Sequence, residues 1–297
     1  MIFSPRPHFE WALRTRTLSL GMRTLVMGVL NLTPDSFSDG GSYPTPAAAL
    51  DRSLEMLEQG VDIVDVGGES TRPGSIPLAP AEEQSRVLPV IAAILKNRRE
   101  AILSIDTYHA ETARAAIEAG AEIVNDVSGH LWDARMAETC AELGCGTVLM
   151  HTRGRPGEWK AQPALAPEEV MPIVLGELNQ QIGRALAMGV AQKRMAVDPG
   201  FGFGKIRGEN YPLLASLKML QQLGFPVVAG LSRKSFLRLS GDALDPSELK
   251  RALLSATLAA NTAAILAGAH IVRVHDVAEA KAAAVVADAV LSPAGSS

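Results

Sequence analysis

The chain has 297 residues, a formal net charge of −4, and 47% hydrophobic against 20% charged residues. That length suits one α/β barrel, a fold that typically takes about 250 residues, so 1–297 is read as a single domain with its barrel core over 22–291. The basic side chains are scattered, with no stripe to follow a phosphate backbone, which argues against nucleic acid and for a small-molecule substrate.

The first 21 residues carry Arg, His and Glu where a signal peptide needs an apolar block, so a cytoplasmic location is expected. They lie outside the repeat that follows, and Trp11 to Leu20 predicts a hairpin closing the barrel bottom. Short apolar runs at 24–30, 63–66, 101–105, 123–125, 147–150, 195–197, 227–229 and 271–274 then read as strands. Helical patterns follow them at 46–59, 81–97, 109–119, 133–143, 167–188, 211–223, 246–267 and 277–291. Eight such repeats close a (β/α)8 TIM barrel. An open doubly wound sheet would gather its ligand at one switch point. Here each strand ends on polar residues instead: Asn31, Asp65, Asp106, Asn125 with Asp126, His151, Asp198, Ser232 to Lys234, and Arg273 with His275. Such groups need partners when buried, so the ring predicts a ligand site at the C-terminal face of the barrel.

The stretch 252–269 has no charge, yet Ser255, Thr257, Asn261 and Thr262 make it too weakly apolar to span a membrane. A helix buried on both faces, one on the barrel and one on a second subunit, accounts for it better and predicts a homodimer. Cys140 and Cys145, the only cysteines, read as reduced structural thiols without a second metal-ligand pair.

The segments MGVLNLTPDSFSDGG (27–41) and VDVGGESTRPGS (64–75), followed in order by SIDT, NDVSG, DPGFGFGK, GLSRKSF and RVHDV, resemble the dihydropteroate synthases of the pterin-binding barrel family. The resemblance runs from about Met27 to Val277. It implies a transferase of folate biosynthesis that joins 6-hydroxymethyl-7,8-dihydropterin pyrophosphate to 4-aminobenzoate, giving 7,8-dihydropteroate and pyrophosphate. It implies further that Asp106, Asn125, Asp198 and Lys234 line the pterin pocket. A carboxylate such as Asp198 accepts two adjacent ring N–H groups in parallel, Asn125 suits the neighbouring ring nitrogens, and Lys234 donates to the ring carbonyl. Asp106 would face the cation left as pyrophosphate departs, although a strand-end Asp before Thr107 also suits a helix cap.

By the same resemblance Asn31 is a ligand of Mg2+, an ion that keeps few protein ligands, and Arg273 with His275 anchors pyrophosphate. Those two alternate across Val274, so strand geometry sends both to one side. Phe37, Thr71, Arg72 and Pro73, on the loops 33–43 and 70–77, are implied to fold over the second substrate. Phe203, Ser232, Arg233 and Lys234 would form the fixed part of the aminobenzoate pocket, where sulfonamide-type analogues are expected to compete. Arg72, Asp106 and Lys234 are the implied catalytic residues. One departure stands out: the run 75–80 (SIPLAP) is richer in proline than the family pattern.

Gly200 to Lys205 (GFGFGK) fits neither the Walker nor the dinucleotide spacing and reads as a turn with a close backbone approach. His151 reads either as a general base or as a satisfied histidine of the pocket wall. Other functions compete with the transferase. A methyltransferase-type barrel serving a corrinoid protein would share the Asp and Asn contacts but has no need of Arg273, His275, TPDSFSDGG or SRKS. A catalytically inactive pterin-binding protein would be expected to lose Asn31, Arg72 or Lys234. A Schiff-base aldolase through Lys234 lacks the apolar surroundings such lysines need.

Overall fold

The computed structural model describes residues 4–33, 45–70, 77–238 and 245–292. It opens with an antiparallel hairpin of β1 (Phe9–Ala12) and β2 (Thr17–Leu20). The repeat then runs β3 (Leu25–Asn31), α1 (Pro46–Glu58), β4 (Ile63–Gly67), α2 (Pro80–Asn97), β5 (Leu103–Asp106), α3 (Ala110–Glu118), β6 (Ile123–Asp126) and α4 (Met136–Leu143). It continues with β7 (Gly146–Met150), α5 (Pro167–Ala187), β8 (Met195–Asp198), α6 (Asn210–Ala215), β9 (Val228–Ala229), α7 (Pro246–Leu266), β10 (Ile271–Val274) and α8 (Val277–Leu291). Strands β3 to β10 pair in the order β8-β7-β6-β5-β4-β3-β10-β9. A parallel bridge between Val197 and Val227 joins the two edges, and the Val197 N–H donates to the Pro226 carbonyl at 2.9 Å. The result is the expected (β/α)8 barrel.

Strand alternation divides the apolar side chains into two cores. One residue of each adjacent pair, such as Val26, Val64, Leu103, Val124, Leu149, Val197, Ala229 and Val272, packs in the larger core with the helices. Its neighbours Met27, Ile63, Ile123, Val148, Ala196, Val228 and Ile271 belong to a second, smaller core. The hairpin supplies Trp11, Leu13 and Leu20 to that second core, and the Trp11 indole N–H donates to the Arg194 carbonyl at 2.9 Å. Trp11 to Leu20 therefore closes the barrel as the sequence predicts.

Prolines stand in the first turns of α1, α2, α5 and α7, where the missing N–H has no helical partner to lose. Two helices differ from expectation. The fourth starts at Met136 rather than 133, because the Asp133 carboxylate instead accepts the Ala110 N–H at 2.9 Å and so caps α3 from a neighbouring loop. The sixth ends at Ala215, and Leu217–Leu223 continues as a 3-10 helix. Leu217 and Leu220 are buried and Leu223 half-buried, a spacing of three that lies along one edge only at three residues per turn.

In α7 the uncharged stretch buries Thr257, Ala260, Asn261, Ala264 and Ile265 within the chain itself. No helix among the described residues is long and apolar enough to cross a membrane.

Candidate active site

Two residues beyond the apolar plug, toward the C-terminal ends of the strands, the same alternation places polar side chains: Asp65 after Ile63, Asn125 after Ile123, Asp198 after Ala196 and Arg273 after Ile271. Asn31 and Asp106 end β3 and β5 at the same level, paired through β4 with Gly67.

Arg273 lies at the centre. Its Nε donates to Asp65 Oδ2 at 2.6 Å and a terminal nitrogen donates to Asp106 Oδ2 at 2.5 Å. The same Asp65 oxygen accepts from Asn125 Nδ2 at 2.9 Å. Asp65 is fully buried, and among the described residues its Oδ1 has no hydrogen-bond partner. On the far side of the barrel Asp198 Oδ1 accepts the Gly200 N–H at 2.7 Å. A methyl group on Gly230 would lie 3.7 Å from Asp198 Oδ2 and 3.9 Å from the Arg273 Cβ, so these two side chains flank one glycine. Lys234 Nζ sits 4.0 Å from the centre of the Phe203 ring, a cation on an aromatic face.

Crowding these charges in a barrel mouth moves their proton affinities. Burial pushes the Asp106 carboxyl up to about 7, against Arg273, with Asp65 adding to the rise. Burial likewise raises Asp198 to about 6, opposed by the Gly200 N–H and Lys234. Lys234 falls to about 8 through burial and then Arg273. His275 falls to about 3 through burial, then Arg233 and Arg273, so it is a neutral imidazole at working pH. Its Nδ1 is 3.0 Å from Ser232 Oγ, which also accepts the His275 backbone N–H at 3.2 Å. The Ser232 hydroxyl thus holds both the backbone and the ring of His275, fixing the orientation of the imidazole.

The glycine-rich turn is tight for a visible reason. Gly200 has φ +67°, and a Cβ there would lie 1.9 Å from the His151 carbonyl oxygen, the close approach expected of GFGFGK. The buried Lys205 ammonium donates to the carbonyls of Gly200 at 2.9 Å, Phe203 at 3.2 Å and His151 at 3.4 Å. Burial lowers its pKa to about 7. His151 itself follows Leu149 on the outward side, with Nε2 2.9 Å from Glu177 Oε2 on α5 and a pKa lowered by burial to about 4. The general-base reading of His151 falls away, since the ring is turned from the barrel interior.

The structure thus brings together Asn31, Asp106, Asn125, Asp198, Phe203, Lys234 and Arg273, with Ser232 and His275 paired beside them. Arg233 has another partner: its Nε lies 3.1 Å from Asp276 Oδ2, and 42% of its side-chain surface is exposed. Thr71 and Arg72, with Phe37 and Pro73, lie outside the described residues. Asp65 was legible as a strand end but had no role assigned to it. Its place two residues after Ile63, on the inward alternation, was the signal that could have given it one. Lys205 had no such signal, because only the folded turn surrounds it with carbonyls.

A family model described as pterin binding enzyme matches residues 27–275. The chain belongs to that family. Within it, the chain is 41% identical over 278 residues to the dihydropteroate synthase of Bacillus subtilis, covering 94% of this chain and 92% of that one. Among solved structures, dihydropteroate synthase from Xanthomonas albilineans in complex with 7,8-dihydropteroate superposes with a TM-score of 0.80 at 37% identity, covering 97% of this chain and 100% of the other. The Yersinia pestis dihydropteroate synthase with a sulfonamide drug complex gives 0.84 at 36% identity, over 95% and 98%.

Proposed function

We propose that this member of the pterin-binding enzyme family joins 6-hydroxymethyl-7,8-dihydropterin pyrophosphate to 4-aminobenzoate, as a single-domain cytoplasmic transferase of folate biosynthesis. The observation that carries the reading is the likeness along nearly the whole chain to a synthase solved with 7,8-dihydropteroate, on a barrel whose mouth holds acceptors and cations together.

Asp198 and Asn125 grip the ring N–H edge and Lys234 donates to the ring carbonyl. The C–O bond from the pterin methylene to pyrophosphate breaks, its electron pair leaving with oxygen. Arg273 and the His275 ring offer donors to that developing charge. The carboxylate of Asp106 stabilises the methylene cation, the arylamine lone pair forms the C–N bond, and the amine gives up its proton to the departed pyrophosphate or to solvent. Phe203 and Lys234, with Ser232 in the same loop as Lys234, form the fixed side of the aminobenzoate pocket, while the Arg233 guanidinium, expected there from the sequence, is taken by Asp276. Thr71 and the catalytic Arg72 complete it from their loop. Sulfonamide-type analogues compete there with 4-aminobenzoate.

The donor set fits a hard cation: a Cβ on Gly67 would lie 3.6 Å from both Asn31 Oδ1 and Asp106 Oδ2, so the bare glycine leaves room between two oxygens. Asn31 would hold Mg2+, which when bound would supply positive charge near the leaving pyrophosphate. The functional unit is a homodimer through α7 and α8. Ile265 is fully buried in its own subunit and cannot face a partner, whereas Leu258 is half-buried. On α8 the exposed Ala282, Val285, Val286, Ala289 and Val290 form an apolar stripe at helical spacing. A monomeric mass in light scattering at micromolar protein would defeat the dimer.

The test of function is pyrophosphate release from the purified protein with both substrates and Mg2+. Release that depends on 4-aminobenzoate is expected, and its absence would overturn the proposal.

A further inference from the structure

Two consecutive residues beyond β9 face two consecutive residues beyond β10. Ser232 Oγ meets His275, and the Arg233 guanidinium meets the Asp276 carboxylate through both Oδ atoms, at 3.1 and 2.5 Å. Arg233 reaches Asp276 from an unusual backbone: its φ is +57°, one of two positive values among the described non-glycine residues. A left-handed conformation is unfavourable for a residue with a Cβ and persists where surrounding contacts enforce it. Here the Arg233 N–H donates to Thr257 Oγ1 of α7 at 3.1 Å, and its side chain is held by Asp276. On either side of this strained residue, Ser232 is buried against His275 and Lys234 reaches the Phe203 ring.

We propose that Arg233 and Asp276 form a clamp that sets the positions of Lys234 and His275, so that Arg233 acts on the reaction through its neighbours rather than by touching substrate. The reason is geometric. Arg233 is bonded in sequence to Lys234, and Asp276 to His275, so one bidentate pair fixes the spacing between the cation assigned to the pterin carbonyl and the imidazole assigned to pyrophosphate. Such planar pairs define direction as well as distance. The two loops carry no ladder hydrogen bonds at this level, since the β9–β10 pairing ends at Ala229 with Val272. Strain at Arg233 then has a use: it lets the chain present Lys234 and the guanidinium to different partners within two residues.

This inference rests on the function proposed above, and the test separates the two. Arg233→Gly keeps the left-handed backbone without strain and removes the guanidinium; Asp276→Asn removes the other charge. Each single variant is expected to lose about tenfold or more in kcat/KM for the pterin pyrophosphate, the scale of a small misplacement of a binding group. The double variant is expected to lose no more than either single one, and Arg233→Lys to recover part of the loss. Additive losses, a silent Asp276→Asn, or an effect of Arg233→Gly confined to the KM for 4-aminobenzoate would each overturn the clamp. The imidazole resonances of His275 in the free protein supply a readout independent of turnover. Both single variants are expected to shift them, and unchanged resonances in Asp276→Asn would overturn the clamp whether or not the protein releases pyrophosphate.

Discussion

The two ends of one barrel use the same strands and the same inward alternation for opposite purposes. At the bottom, Met27, Ile63, Ile123, Ala196 and Ile271 pack against Trp11, Leu13 and Leu20 in one apolar cluster. Two residues along, the positions are Asp65, Asn125, Asp198 and Arg273: Asp65 accepts from both Asn125 and Arg273, and Asp198 from the Gly200 N–H. A buried ion pair that loses one partner leaves an uncompensated charge, whereas an apolar side chain loses only its own packing. The plug therefore answers for stability, and the mouth is a costly arrangement kept for what it can bind.

The sharpest way to break that division is Trp11→Ala. Trp11 is 1% exposed, and its removal should cost roughly 3–5 kcal/mol of unfolding free energy, measured by denaturant titration, with the KM for both substrates unchanged. A parallel loss of pterin affinity would mean that the two ends are not separable. Next in size is Asp198→Asn, which puts a donor against ring N–H groups. Titration calorimetry with a non-reactive pterin should show weakening by about 2–4 kcal/mol. Asp106→Asn should instead lower kcat by about a hundredfold, with a smaller cost in pterin binding, because its charge matters most to the cation. If Asp106→Asn weakened binding as much as Asp198→Asn and left kcat unchanged, the assignment of roles would be reversed.

The smallest expected effect is on pH. Asp106 must be ionised and Lys234 protonated, so kcat/KM should fall below about 7 as Asp106 takes up a proton and above about 8 as Lys234 loses one. Asp106→Asn should abolish the acid limb. Stability should move the other way on that limb. Folding raises the Asp106 carboxyl from 3.8 to about 7, so between those values the native state binds more protons than the unfolded chain, and stability declines as pH rises across the window. Thermal melting of the wild type and Asp106→Asn across that range checks the sign: the variant should lose less.

Much of this was readable before any coordinates. The eight apolar runs lie within two residues of the observed strands, because strands buried on both faces read as continuous apolar runs. The hairpin was readable too, because Trp11 and Leu20 are large apolar residues with nowhere else to go. The start of the fourth helix and the 3-10 turn after Ala215 were not, since Asp133 caps a helix more than twenty residues earlier in the chain and no local pattern records that. Of the site, Asp106, Asn125, Asp198, Lys234 and Arg273 followed from strand ends and motif order. Asp65 and Glu177 acquired roles only once Arg273 and His151 were seen against them.

The architecture, the family and the level of the barrel at which charge gathers are all legible in the order of the residues, because each rests on local strand and helix patterns and on ordered short motifs. Which charges shift one another's proton affinity, which way His151 turns, and that Arg233 gives its guanidinium to Asp276 depend on the folded chain. Those properties depend on distances between residues far apart in the chain and on the loss of water around them, and neither quantity is written in the order of the residues.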